Sequence, residues 1–189
     1  RPRTSGSSEH IGHPCREPET GVGMKRHVVS ALVENRSGTL SRVSGLFSRR
    51  GFNIDGLTVG ETEDPSVSRM TIAVSGDEQV LDQIVKQLGK LVDVIQVREL
   101  DPESCIRREL MLVKVKADET TRPAVIEIAT IFRSRIIDVS PTTITIEATG
   151  DSDKLEGLLL LLRPYGILEL ARTGLVALER GSLVLSISI

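Results

Sequence analysis

The stretch Met70-Thr71-Ile72-Ala73-Val74-Ser75-Gly76-Asp77-Glu78-Gln79-Val80-Leu81-Asp82-Gln83-Ile84 changes its hydrophobic period halfway along. Met70, Ile72 and Val74 alternate with Arg69, Thr71 and Ala73, the two-residue period of a strand with one buried face. Beyond Gly76, residues Val80, Leu81, Ile84, Leu88 and Leu91 fall on one side of a helix, with Asp77 as its N-cap. Upstream, His27–Glu34 is rich in β-formers and ends at the polar turn Asn35-Arg36-Ser37-Gly38. Leu40, Val43 and Phe47 then share a helical face that Gly51 terminates. Ile54–Gly60 reads as a strand, Glu61–Ser66 as a hairpin connection containing Pro65, and Val94–Leu100 as a closing strand. The resulting order is βαββαβ, a ferredoxin-like split βαβ unit.

The order then repeats. Asp101-Pro102-Glu103-Ser104 is a linker, after which Met111, Val113 and Val115 alternate with Leu112, Lys114 and Lys116. Pro123 opens a helix bearing Val125, Ile128, Ala129 and Phe132. Ile136–Val139 and Thr143–Ala148 flank a turn at Ser140-Pro141, a helix with Leu155, Leu158, Leu159 and Leu162 follows Gly150-Asp151, and a strand starts at Ile167. Ile54-Asp55 matches Ile137-Asp138, and Gly76-Asp77 matches Gly150-Asp151. The fold class is α+β, with tandem ferredoxin-like units at 24–101 and 106–181. Each unit covers one sheet face with helices and leaves an edge strand, so pairing with a second chain, at least a homodimer, is expected.

Residues 1–23 are rich in Arg, Pro, Ser, Gly and His and have no apolar periodicity. They read as a disordered leader or an artificial extension, with Met24 taken as the native start. His10, His13 and Cys15 lie there without a fourth ligand, which favours a tail over a metal site. Residues 182–189 alternate polar and apolar and suit either an added edge strand or a tail. The net charge of −2 offers no basic excess for nucleic acid or an anionic membrane. The longest apolar run, Leu158–Leu162, is too short to span a bilayer. Two cysteines, Cys15 and Cys105, make no disulfide framework, so a reducing cytoplasm is expected, or an organelle if the leader is a transit-peptide remnant.

The chain carries no P-loop, no dinucleotide glycine motif, no nucleophile elbow and no HExxH or CxxC motif. His27 stands at a strand start, Cys105 has no histidine near it, and Glu61, Glu63 and Asp64 fall in a solvated hairpin, so no constellation supports catalysis. RNA-binding domains of the same element order need stacking aromatics on their central strands, where this chain has Met70, Thr71, Ile72 and Ala73. The segment with chemical promise is Asn35-Arg36-Ser37-Gly38-Thr39-Leu40, between the first strand and the first helix. Free N–H groups at a helix N-terminus favour an anion such as an α-carboxylate. Gly38 lets a ligand approach the backbone, and Asn35 offers both a donor and an acceptor to a zwitterion. A plain turn and cap would use the same residues, and Asn53 alone reads equally as a turn asparagine.

Leu32–Val43 followed by Leu46-Phe47 resembles the opening of an ACT domain. Arg49–Ile54, Leu57–Val59, Ser68–Ile72 and Gln87–Val94 resemble the small, regulatory subunits of acetolactate synthase (acetohydroxyacid synthase). In the second half Arg108–Val115, Ile131–Arg133, Ile136–Val139 and Ala171–Gly174 agree. The resemblance spans roughly residues 24–181, both units. It implies a subunit without catalytic residues or bound cofactors of its own. Its partner would be the large catalytic subunit, which carries thiamine diphosphate, a divalent metal (Mg) and FAD. The small subunit would raise that enzyme's activity and confer feedback inhibition by valine or another branched-chain amino acid. The resemblance implies an effector site between the N-terminal ACT domains of a dimer. There Asn35 and Gly38 form the loop that binds the effector's carboxylate and ammonium groups, Asn53 comes from the partner chain, and Ser37, Thr39 and Leu40 are further contacts. The second unit has Asp118-Glu119-Thr120-Thr121 at the corresponding loop, and no equivalent site is expected there. An ACT sensor acting on a different enzyme or regulator is the alternative.

Overall fold

In the computed structural model, which describes residues 25–185, the two periodicities become two antiparallel sheets, each with a pair of helices. The first unit comprises β1 (Lys25–Glu34), α1 (Thr39–Arg50), β2 (Gly56–Glu61), β3 (Val67–Gly76), α2 (Glu78–Leu88) and β4 (Val94–Leu100). Its strand order is β2-β3-β1-β4. The second comprises β5 (Cys105–Lys116), α3 (Arg122–Ile131), β6 (Arg135–Val139), β7 (Thr143–Gly150), α4 (Ser152–Leu162) and β8 (Ile167–Arg172), in the order β6-β7-β5-β8. The leader, with His10, His13 and Cys15, lies outside the described residues, as do residues 186–189.

The helix ends follow the local chemistry. Asp77 and Asp151 cap α2 and α4, each accepting the N–H three residues on, from Val80 at 2.8 Å and Lys154 at 2.9 Å. Gly51 ends α1 in the left-handed conformation (φ 70°). The Phe52 N–H then bonds to the Phe47 carbonyl at 3.0 Å while the two rings meet edge to face, a Schellman closure with its apolar contact. Val29, Ala31, Met70 and Ile72 pack with Phe47, Ile84 and Leu88 in the first core. Met111, Val113, Ile144 and Ile146 pack with Val125, Leu155, Leu158 and Leu162 in the second.

Two expectations need correction. Thr71 and Ala73, read as the open side of β3, are only 4% and 1% exposed. The cause is a short strand the periodicity does not reveal, β9 (Val176–Glu179), which pairs antiparallel with the first residues of β5. This ribbon packs against the face of the first sheet opposite its helices. Ala177 and Cys105 cluster with Val28 and Leu100, and Arg98 pairs with Glu179 at 2.7 Å. That face is therefore covered in part by the chain itself. Residues 182–185 form no strand. Leu185 instead buries itself on Leu32 and Val67, and its carbonyl accepts from Arg69 at 3.3 Å.

Candidate effector-binding site

The β1–α1 turn is assembled from three directions. On the hairpin side, the Asn35 N–H donates to the Ser66 carbonyl at 2.7 Å. The Asn35 side-chain Nδ2 donates to Glu61 Oε1 at 3.1 Å and to the Pro65 carbonyl at 2.9 Å. Because a carbonyl only accepts, the Pro65 contact fixes which way the amide faces. The donor half of Asn35 is thus spent within the chain, and the half it offers outward is an acceptor, suited to an ammonium group. This narrows the donor-and-acceptor role read from sequence. A shallow pocket of about 320 Å³ lies beside it, lined by Glu34, Asn35, Arg36, Asp64, Ser66, Val67 and Ile95.

At the helix, Gly38 stands at the N-cap with φ 88°, the left-handed region that favours glycine. No side chain caps α1, and its first turn holds no acid. The Arg42 N–H reaches the Gly38 carbonyl at 2.9 Å and the Thr39 N–H the Arg36 carbonyl at 3.3 Å. The N–H groups of Leu40 and Ser41 have no hydrogen-bond partner among the described residues, so the positive end of α1 is open.

From the third direction comes a contact that sequence reading missed. Arg42 grips the carboxylate of Asp93, in the turn before β4, through both Nε and Nη2, the latter at 2.9 Å. Asp93 is 5% exposed, and its carbonyl accepts from the Glu34 N–H at 2.8 Å. The Arg42 hydrogen bond holds the Asp93 carboxyl below the usual aspartate range, and the same bond raises the Arg42 guanidinium. No local pattern links residues 51 positions apart, and an arginine on the polar side of a helix reads as solvated.

The other candidates separate. Ser37 and Leu40 are exposed on the turn. Thr39 is 3% exposed, and its hydroxyl is sealed from solvent without a hydrogen-bond partner, so its side chain serves packing rather than the outer surface of the loop. Asn53 is not beside Asn35 and Gly38. Glu34 pairs with Val67 at one end of β3, whereas Asp55 and Gly56 meet Ala73 near the other. Those ends are roughly 20 Å apart along the strand. Asn53 is exposed there and donates to Asp55 at 2.8 Å, while Asp55 accepts from Ser75 at 2.6 Å.

The matching loop of the second unit is closed by its own residues. Asp118 accepts from the N–H and hydroxyl groups of both Thr120 and Thr121 at 2.7–3.0 Å. These bonds, that from the Thr120 hydroxyl foremost, bring its carboxyl down to about 2. A built-in carboxylate occupies the place where an external one would have to compete.

Residues 29–96 match the profile of the AHAS small subunit-like ACT domain, and residues 108–181 that of the small subunit of acetolactate synthase. The chain belongs to the acetolactate synthase small-subunit family. It is 55% identical over 167 residues to the probable acetolactate synthase small subunit of Methanothermobacter thermautotrophicus, covering 88% of this chain and 96% of the relative. It is 52% identical over 161 residues to the isozyme 3 small subunit of Salmonella typhimurium, covering 85% and 99%. The crystal structure of the Thermotoga maritima acetolactate synthase small subunit superposes with a TM-score of 0.79 at 44% identity, covering 85% of this chain and all of that one. The two-unit architecture is thus shared with the Thermotoga maritima subunit. Among the described residues no helix is long and apolar enough to cross a membrane. Nor, among them, is any group of three or more His, Cys, Asp or Glu placed to hold a metal ion.

Proposed function

We propose that this chain is the regulatory subunit of an acetolactate synthase, binding the large catalytic subunit, raising its activity and making it sensitive to a branched-chain amino acid such as valine. Thiamine diphosphate, magnesium and FAD belong, on this reading, to the catalytic partner, a transferase. The observation that carries the effector half is the uncapped N-terminus of α1 at Gly38, with the acceptor side of Asn35 beside it. A carboxylate would meet the open N–H groups and an ammonium the asparagine oxygen, the two ends of an amino acid.

A homodimer follows from the role that the family resemblance gives Asn53 as an effector contact. One chain places Asn35 and Asn53 at opposite ends of a sheet, so both can touch one ligand only if a second chain supplies Asn53. An effector across such an interface alters activity by binding one dimer arrangement better than another. An aliphatic pocket discriminates one methylene by only about 1–3 kcal/mol, so valine, leucine and isoleucine should all register in graded order.

Reconstitution tests the reading. Adding the chain to its catalytic subunit should raise the rate of acetolactate formation from pyruvate, and valine should then lower it. A catalytic rate indifferent to this chain would refute the assignment, and a stimulated rate indifferent to all three amino acids would refute its effector half.

A further inference from the structure

The guanidinium of Arg42 is only partly used by Asp93. Its Nε and Nη2 hold the carboxylate, while Nη1 has no hydrogen-bond partner among the described residues. That free nitrogen points toward the candidate loop: it stands 3.1 Å from where a Cβ on Gly38 would lie, with Cζ at 3.7 Å. The arginine side chain is 48% exposed while the side chain of Asp93 beneath it is 8% exposed, so the fork is anchored from below and open above. Glu34, the other acid near it, is engaged by Arg36 at 3.4 Å. An arginine so held loses little freedom on meeting a second anion.

We propose that Arg42 is a binding residue for the effector's carboxylate, acting through Nη1 beside the Gly38 turn, and that Asp93 is the positioning residue that aims it. The inference rests on the effector reading above and deepens it. The amino acid's carboxylate is met by a charged fork as well as by backbone N–H groups, which selects a free carboxylate over an amide or an ester. Charge-assisted bonds of this type are about twice as strong as neutral ones. The pair also ties the effector loop to the turn leading into β4, since Asp93 bonds Arg42 with its side chain and Glu34 with its backbone.

The experiment is calorimetric titration of the full chain, alone and with its catalytic subunit, using L-valine and L-valinamide. The wild-type chain should prefer valine by about tenfold or more, and Arg42→Gln should bring the two ligands close to equal. A merely structural arginine would weaken both ligands by the same factor, so an unchanged ratio in a folded Arg42→Gln chain overturns the proposal and leaves the effector reading standing. Arg42→Lys keeps the charge without the fork and should give an intermediate ratio; if Arg42→Gln does not fold, a wild-type ratio in Arg42→Lys overturns the proposal instead. Asp93→Asn should lower the ratio with Arg42 still present, and a wild-type ratio there removes its positioning role. Wild-type binding of neither ligand in either preparation overturns both the inference and the effector reading.

Discussion

Arg42 on α1 and Asp93 in the turn before β4 form a two-pronged ion pair whose acid is buried and whose base is open to solvent. The pair ties the first turns of α1 to the turn before β4. Asp93 has a carboxyl pKa below its unfolded value of 3.8. An acid so depressed lends stability that is complete above the unfolded value and disappears as the pH falls through the folded one. Asp93→Asn should therefore lower the melting temperature near neutral pH and flatten the acid limb of the stability profile below about pH 4. Thermal melts of both chains across that range check it, and parallel curves displaced by a constant amount would argue against the linkage.

Gly38→Asp should abolish effector inhibition while leaving activation by the subunit nearly intact. An L side chain at φ 88° costs about 1–2 kcal/mol, a price a folded domain can bear. The new Cβ would also press on Arg42 Nη1 at 3.1 Å, and the added carboxylate would take the place and charge of the effector's own. Gly38→Ala shares the strain without the charge and should weaken inhibition less. Inhibition curves of the two reconstituted enzymes separate strain from charge.

Thr39→Val should leave effector inhibition unchanged and stability equal or higher. The hydroxyl is sealed from solvent with no partner, so replacing it by a methyl of similar shape removes a desolvated polar atom. A loss of valine response in Thr39→Val would return that side chain to the site.

Much of this arrangement is legible in the sequence because it is local. The switch of period at Gly76-Asp77, its repeat at Gly150-Asp151 and the glycine after α1 need no distant partner to be read. What stays hidden is set by distant contacts. Val176–Glu179 is four residues long and becomes a strand only because Cys105–Arg108 pairs with it and Val28 and Leu100 need cover. The same holds at the site. Asn35 reads as a zwitterion ligand, yet its donor is committed to Glu61 and to Pro65, 30 positions away. Asp118, by contrast, forms its bonds within three residues, so the closed second loop can be inferred from sequence spacing.

Asp118→Ala should lower the melting temperature of the chain by a few degrees and remove part of its acid sensitivity, without touching effector inhibition. The carboxyl stands at about 2 against an ordinary 3.8, so its contribution is complete above 3.8 and fades between those two values. Melts between neutral pH and about pH 2 follow the difference. Unaltered valine inhibition in the reconstituted enzyme would agree with the second loop serving structure alone.

Leu100→Ala should destabilise the chain by about 2–5 kcal/mol, because its side chain fills the seam where the β5–β9 ribbon meets the first sheet. Ile95→Ala on the same strand, where the residue is 39% exposed, should cost under about 1 kcal/mol. The two variants carry similar volume changes and differ in what lies over them, so denaturant unfolding of both measures how firmly the ribbon is seated. If the ribbon merely rests on the sheet, Leu100 would already be accessible in solution and the two costs would converge. A wide gap, with a single unfolding transition in wild type and two in Leu100→Ala, would mean that this seam makes the two units unfold as one body.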